Sequence, residues 1–330
     1  MNIVRTHHCP GILLLLLLVV LPGSVRPFGF HAHRIINRMA VFTLPPEMIG
    51  LYKQHIEFLS ERSIDPDRMA HAVEGEAPRH YIDIDHYGDD PFTLMPRQWD
   101  EALELYGEDT LVTYGVLPWH IHVMMQRLTR AFRERNTDRI LLLSAHLGHY
   151  IADACTPLHT TKDYNGRYPS QRGIHAFWES RLPELYAHDY DYLAGRAEYL
   201  PDPLETAWAL VEISHLKVDT IYQAFDSLLT SFPTDQVYSH ELRGQSVNRV
   251  YSPVFSEAFH QSLNGMVERQ MRLAVRTTGD FWFTAWVNAG QPELEPMEER
   301  VISSRLLRRI KNDLRRWEKA GESKSREKPL

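Results

Sequence analysis

From Phe30 onward, apolar positions recur three and four apart over long stretches: Trp119 to Asn136, Ile140 to Ala154, Pro203 to Leu229 and Glu257 to Val287. That is the 3.6-residue period of amphipathic helices, and almost no period-2 alternation accompanies it. Turn signals separate the stretches at Leu44-Pro45-Pro46, Gly88 to Pro91, Asn165 to Pro169 and Ser231 to Asp235. The pattern predicts an all-α fold, a multi-helix bundle with inserted loops. The two ends of the chain depart from it. Arg5 precedes an unbroken apolar run, Ile12 to Leu21, which Pro22, Gly23 and Ser24 follow. Residues 1–24 therefore read as a signal peptide, and the protein as exported, periplasmic or secreted. A membrane-spanning helix needs about 20 apolar residues, twice what is present. At the other end Gln291 to Pro296 reads as a linker, and Ile302, Leu306, Ile310, Leu314 and Trp317 fall three or four apart with arginines between them. Residues 297–330 thus hold one basic amphipathic helix and a tail. Such a helix suits contact with an anionic membrane surface; the competing reading is a helix docked on the body with a solvated face. Residues 28–290 form one helical domain.

Composition sharpens this picture in three places. Of the two cysteines, Cys9 lies within the signal segment and only Cys155 is left, so a disulfide cannot brace the interior. The 18 histidines fall partly in short-spaced groups, which points to metal. The net charge of −7 is divided: from Arg300 onward there are 11 basic and 4 acidic residues, a local +7 that leaves −14 for the rest. An acidic body grips a phosphate backbone poorly unless bound cations change the local field.

The densest chemistry lies in His149-Tyr-Ile-Ala-Asp153-Ala-Cys-Thr-Pro157-Leu-His159. His149 and Asp153, four apart, share a helix face and can reach one ion. Pro157 cannot continue that helix, so the chain turns and can aim His159 at a neighbouring point. His175 and Glu179 repeat the four-residue pairing. Imidazole with carboxylate suits Zn²⁺, and three protein ligands with an open position is the catalytic pattern; His159, His175 and Glu179 would make such a set. One pair alone would be an ordinary solvated pair. Upstream, Asp65-Pro66-Asp67-Arg68 precedes His80-Tyr81-Ile82-Asp83-Ile84-Asp85, where carboxylates this dense beside a histidine fit a cation site or, alternatively, a charged turn. His120, His122 and His146 read as structural, and His71, His86 and His188 carry no assignment.

Taken in order, these motifs resemble the zinc-dependent phospholipase C and S1/P1 nuclease superfamily, all-helical enzymes with a metal cluster in a cleft. The resemblance runs through residues 28 to 180, on Phe28-Gly29-Phe30-His31-Ala32-His33, Asp65, His80-Tyr81-Ile82-Asp83, His149 to His159, and His175 to Glu179. It implies two or three zinc ions: the first held by Asp65, His80, His149 and Asp153, the second by His159, His175 and Glu179. Asp153 would bridge to a third held by His33 and the backbone of residue 28. Phe28 stands where the family has an N-terminal tryptophan. Asp65 is taken over Asp67 because Asp65-x-x-Arg68 resembles the nuclease spacing. The resemblance further implies in-line hydrolysis of a phosphodiester, with Asp83 orienting water and Arg68 holding Asp83 or a phosphate oxygen. Glu179 in place of aspartate resembles the phospholipase branch, so the expected substrate is a phospholipid. The alternatives are single-stranded nucleic acid, cut by an S1/P1-type nuclease, and a metal-stabilised binding protein without turnover. No protein partner is implied.

Overall fold

Proline opens several of the helices, at first-turn positions where its missing N–H has no intrahelical partner to lose. The computed structural model describes residues 30–243 and 246–320; the signal segment, Phe28 and residues 321–330 lie outside it. The described residues begin with α1 (Phe30–Ala40), α2 (Pro46–Gln54), α3 (Ile56–Arg62) and α4 (Asp65–Ala70). Three short helices follow, α5 (Pro91–Leu94), α6 (Trp99–Tyr106) and α7 (Glu108–Tyr114). The long pair α8 (Leu117–Arg133) and α9 (Thr137–Ala154) is joined by three residues, so the two run antiparallel. Asn136 caps α9, its side chain accepting from the Arg139 N–H at 3.1 Å. Beyond them lie α10 (Ile174–Ala176), a π-helical turn at Phe177–Arg181, α11 (Leu182–Tyr186), α12 (Pro203–His215) and α13 (Val218–Ser231). A hairpin of β1 (Tyr238–Arg243) and β2 (Ser246–Tyr251) leads to α14 (Pro253–Ser262), α15 (Met266–Asn288), α16 (Glu295–Glu298) and α17 (Ser304–Ala320).

The chain is mostly helical, as its periodicity predicts, and α9 lies at the centre, packed on α8, α15, α1 and α3. Phe132, Phe225, Phe259 and Phe281 are fully buried; each such side chain contributes about 1.5–3 kcal/mol. Trp282 of α15 donates to the Ser144 carbonyl of α9 at 3.0 Å, and Tyr52 of α2 meets the Ser144 hydroxyl at 2.8 Å.

Three local expectations are corrected. The patterns Pro203 to Leu229 and Glu257 to Val287 each break into two helices. In the second, Asn264 and Gly265 turn left-handed, with φ of 47° and 72°. The antiparallel hairpin, paired from Tyr238↔Tyr251 to Arg243↔Ser246, has strands of six residues whose Leu242 and Val247 are exposed, so no buried face imposes a clean alternation. The segment read as a linker is seated on the body: Leu294 and Met297 are buried, and Trp286 Nε1 donates to the Pro292 carbonyl at 2.9 Å. Downstream, Asp138 accepts from the Ser303 N–H at 3.0 Å, and α17 packs on α4 with Leu306 and Ile310 buried. Among the described residues no helix is long and apolar enough to cross a membrane.

Candidate metal centre

The centre is built around the last turns of α9, where His149 and Asp153 share a face and are completely buried. Immediately before His149, Gly148 lets α1 come close, since a Cβ there would lie 2.5 Å from Asn37 Oδ1. That approach stacks the His33 ring on His149, with centroids 4.0 Å apart. Pro157 then opens a tight 3-10 turn, Pro157–Thr160, that presents His159. This turn is clamped to the His80 segment: the Ile82 N–H donates to the His159 carbonyl at 2.9 Å, and His159 Nδ1 donates to the His80 carbonyl. A carbonyl only accepts, so Nδ1 carries the proton and Nε2 faces Glu179 Oε2, 3.2 Å away. Glu179 sits in the π-helical turn, closed by the Leu182 N–H bonding to the Phe177 carbonyl. Pro183 has no N–H to return to the Glu179 carbonyl, which favours the widened turn.

Eight side chains meet here: His33, Asp67, His80, His149, Asp153, His159, His175 and Glu179. Their donor atoms form four overlapping triads, each with all atoms within 4.8 Å: His33/Asp67/His149, His80/His149/Asp153, His159/His175/Glu179 and His33/Asp153/Glu179. Asp153 divides its oxygens. Oδ2 lies 3.0 Å from His80 and 3.2 Å from His149, whereas Oδ1 lies 3.6 Å from His33. Glu179 divides its own in the same way, Oε2 lying 2.6 Å from His175 and Oε1 3.6 Å from His33. Two carboxylates are thus shared between neighbouring groups of imidazoles.

These residues fit a divalent metal. Both ring nitrogens of His33 and Oδ1 of Asp153 are buried without a hydrogen bond, which an interior tolerates poorly unless another ligand takes them up. Burial alone would raise Asp153 and Glu179, but His149 and His159 beside Asp153, and His159 and His175 beside Glu179, hold both well below the usual carboxylate range. Burial likewise lowers His33, yet Glu179, Asp153 and Asp67 outweigh it and raise the ring. His159 is pushed up to about 9, against burial, by Asp153 and Glu179. The three carboxylates demand positive charge next to them, which protons on the rings or a metal ion can supply.

Of the residues expected from the sequence, His33, His80, His149, Asp153, His159, His175 and Glu179 come together. Asp65 does not join them, and Asp67 takes its place. Asp67 lies 3.6 Å from His149, 3.8 Å from His80 and 4.0 Å from His33. Residues two apart on a helix point to different sides, and Asp65 faces Arg62 at 3.2 Å and Arg68 at 3.3 Å. Burial lifts the Asp65 carboxyl to about 6 in spite of those two arginines. Arg68 packs over the Phe30 ring, 5.3 Å from its centroid. Asp83 is buried, its N–H donating to the Tyr114 carbonyl at 2.7 Å, and it belongs to none of the metal-capable groups among the described residues. Phe28 lies outside the described residues, but His33 has Asp153 and Glu179 as partners without it.

One residue escaped the sequence reasoning. Glu76 is buried, accepts from the Tyr150 hydroxyl and Arg79, and lies 3.8 Å from His80 Nε2, behind the Nδ1 edge that faces the cluster. Its four-residue separation from His80 is the same signal that marked the other two pairs. Compared with known proteins, the chain matches no family model and none of the curated proteins.

Proposed function

We propose that this chain is a zinc-dependent hydrolase of phosphodiester bonds, of the phospholipase C/P1 nuclease type and phospholipase C-like in its substrate. The observation that carries this is the division of Asp153 and Glu179 between adjacent imidazole groups, which supports two or three ions side by side. Five imidazoles against three carboxylates favour zinc over the oxygen-seeking calcium and magnesium. Asp67, His80, His149 and Asp153 would hold one ion; His159, His175 and Glu179 a second; His33, with the far oxygens of Asp153 and Glu179, a third. When bound, zinc supplies Lewis acidity, lowering the pKa of water toward about 7 and neutralising charge on a phosphoryl oxygen. The chain's own part is positioning. The Nδ1–H bond of His159 to the His80 carbonyl fixes that ring, and Glu76 steadies His80 from behind. Arg68 spends part of its guanidinium on Asp65, and its remaining donors are proposed to take a phosphoryl oxygen beside Asp67. The same proposal takes residues 1–24 as a signal peptide, which would export this chemistry from the cytoplasm.

The test is the purified chain, zinc-loaded, offered phosphatidylcholine and single-stranded DNA side by side. Release of diacylglycerol at the higher rate is expected. Cleavage of DNA alone would transfer the proposal to the nuclease branch, and bound zinc without either activity would leave a metal-stabilised binding protein.

A further inference from the structure

The outer face of α17 has no place in the metal chemistry. Its apolar stripe is turned inward, with Leu306 and Ile310 buried on the body and Leu314 and Trp317 half-buried, so Leu307 at its edge is the one largely exposed apolar side chain of the helix among the described residues, too little to insert into a bilayer. At about 100° per residue, Arg305, Arg308, Lys311, Arg315 and Lys319 fall within one arc centred opposite that stripe. Asp313 and Glu318 fall outside the arc. Arg309 and Arg316, on its flank, face Asp313 at 3.9 Å each. None of the five cations of the arc forms an ion pair among the described residues. They make a straight row about 21 Å long on an otherwise acidic chain.

We infer that this row docks the protein on an anionic lipid surface through phosphate contacts alone. The groove beside the row among the described residues, where Lys311 and Arg315 meet α3, is also lined by Glu57, Glu61 and Glu318, which would repel a phosphate strand laid in it. The outer arc is left to meet a plane, and the acidic remainder of the chain would be repelled, which fixes the orientation. The position is also relevant to the centre. The α17 helix packs on α4, which carries Asp67, and Asp67 is the most exposed of the eight cluster residues, its side chain 28% accessible. The row is thus carried by a helix that packs on the helix holding Asp67. The inference goes beyond the hydrolase proposal, and its test runs with chelator present, so catalysis cannot decide it.

Full-length protein in EDTA is sedimented with vesicles of pure phosphatidylcholine, with vesicles that also contain phosphatidylserine, and, separately, titrated with single-stranded DNA. Binding to the phosphatidylserine vesicles only, weakened by added salt, is expected. Each cation near an anionic bilayer raises partitioning about fivefold, so changing all five to glutamine should lower it on the order of a thousandfold. Changing the three arginines of the row to lysine should leave it nearly unaltered, and circular dichroism checks that both variants keep their helices. Equal binding to neutral vesicles, wild-type binding by the glutamine variant, or binding to DNA without binding to vesicles would each overturn the inference.

Discussion

Replacing Asp67 by asparagine removes one charge from a wall of three imidazoles, His149 at 3.6 Å, His80 at 3.8 Å and His33 at 4.0 Å. Losing a residue that merely orients a metal ligand lowers metal affinity about 10–100-fold, so losing a ligand should lower it at least about a hundredfold, roughly 2.7 kcal/mol. The control is two residues away. Asp65→Asn alters a carboxylate that touches only arginines, and zinc affinity should stay within about threefold, because the lost charge lies outside the cluster. Asp65 also carries a pH signature of its own. Its carboxyl is raised from 3.8 to about 6 by burial, so the stability it contributes is present below about pH 4 and lost as pH rises through 6. That amounts to roughly 3 kcal/mol, which asparagine would not lose. Zinc titrations of both variants by calorimetry, with melting curves at pH 4 and pH 7, decide the matter. Equal zinc affinity in the two variants, or a greater loss in Asp65→Asn, would refute the assignment.

Glu76→Gln should weaken zinc about 10–100-fold while the helical circular dichroism is unchanged, since it steadies His80 without touching the cluster-facing nitrogen; unaltered affinity would make Glu76 a packing residue only. Glu179→Gln should lose the ion shared with His175 and depress turnover, and wild-type zinc content with wild-type rate would return Glu179 to an ordinary ion pair. In the metal-free protein, His159 is raised from 6.5 to about 9. The stability it contributes is therefore full below about pH 6.5 and is lost as pH rises through 9. Melting of the EDTA-treated protein should fall across that window and melting of the zinc-loaded protein should not; parallel curves would argue against it.

Much of the centre was legible because helices impose a period. His149 with Asp153, and His175 with Glu179, were readable from a separation of four, and Pro157 told where His159 must turn away. The choice between Asp65 and Asp67 was not readable in this manner. Both open the same helix and both have arginines nearby in sequence; what separates them is the approach of His33, His80 and His149 to Asp67 from distant parts of the chain, a tertiary fact with no local signature. The double role of Glu179 was hidden for a related reason: His33 reaches it only because Gly148 lets α1 cross α9 closely. Glu76 did have a signal, but its separation from His80 falls among turn residues and not on a patterned helix. The hairpin at Tyr238–Tyr251 lies in a stretch of weak patterning, where the cross-strand pairing that stabilises it cannot be read from either strand alone.

Asp153, as the carboxylate placed to be shared between ions, is the residue on which the proposed metal cluster turns. Bound zinc and hydrolysis of bis(p-nitrophenyl) phosphate should be measured on wild-type protein, on Asp153→Asn and on Asp163→Asn, a loop carboxylate outside the cluster. An asparagine side chain has no charge and one comparable acceptor, so it cannot serve two cations. Two or three zinc ions and hydrolysis are expected for wild type and Asp163→Asn, with loss of activity and of more than one ion in Asp153→Asn. Wild-type protein that holds no zinc, or an Asp153→Asn variant that holds as much and hydrolyses as fast as Asp163→Asn, would contradict the proposed cluster.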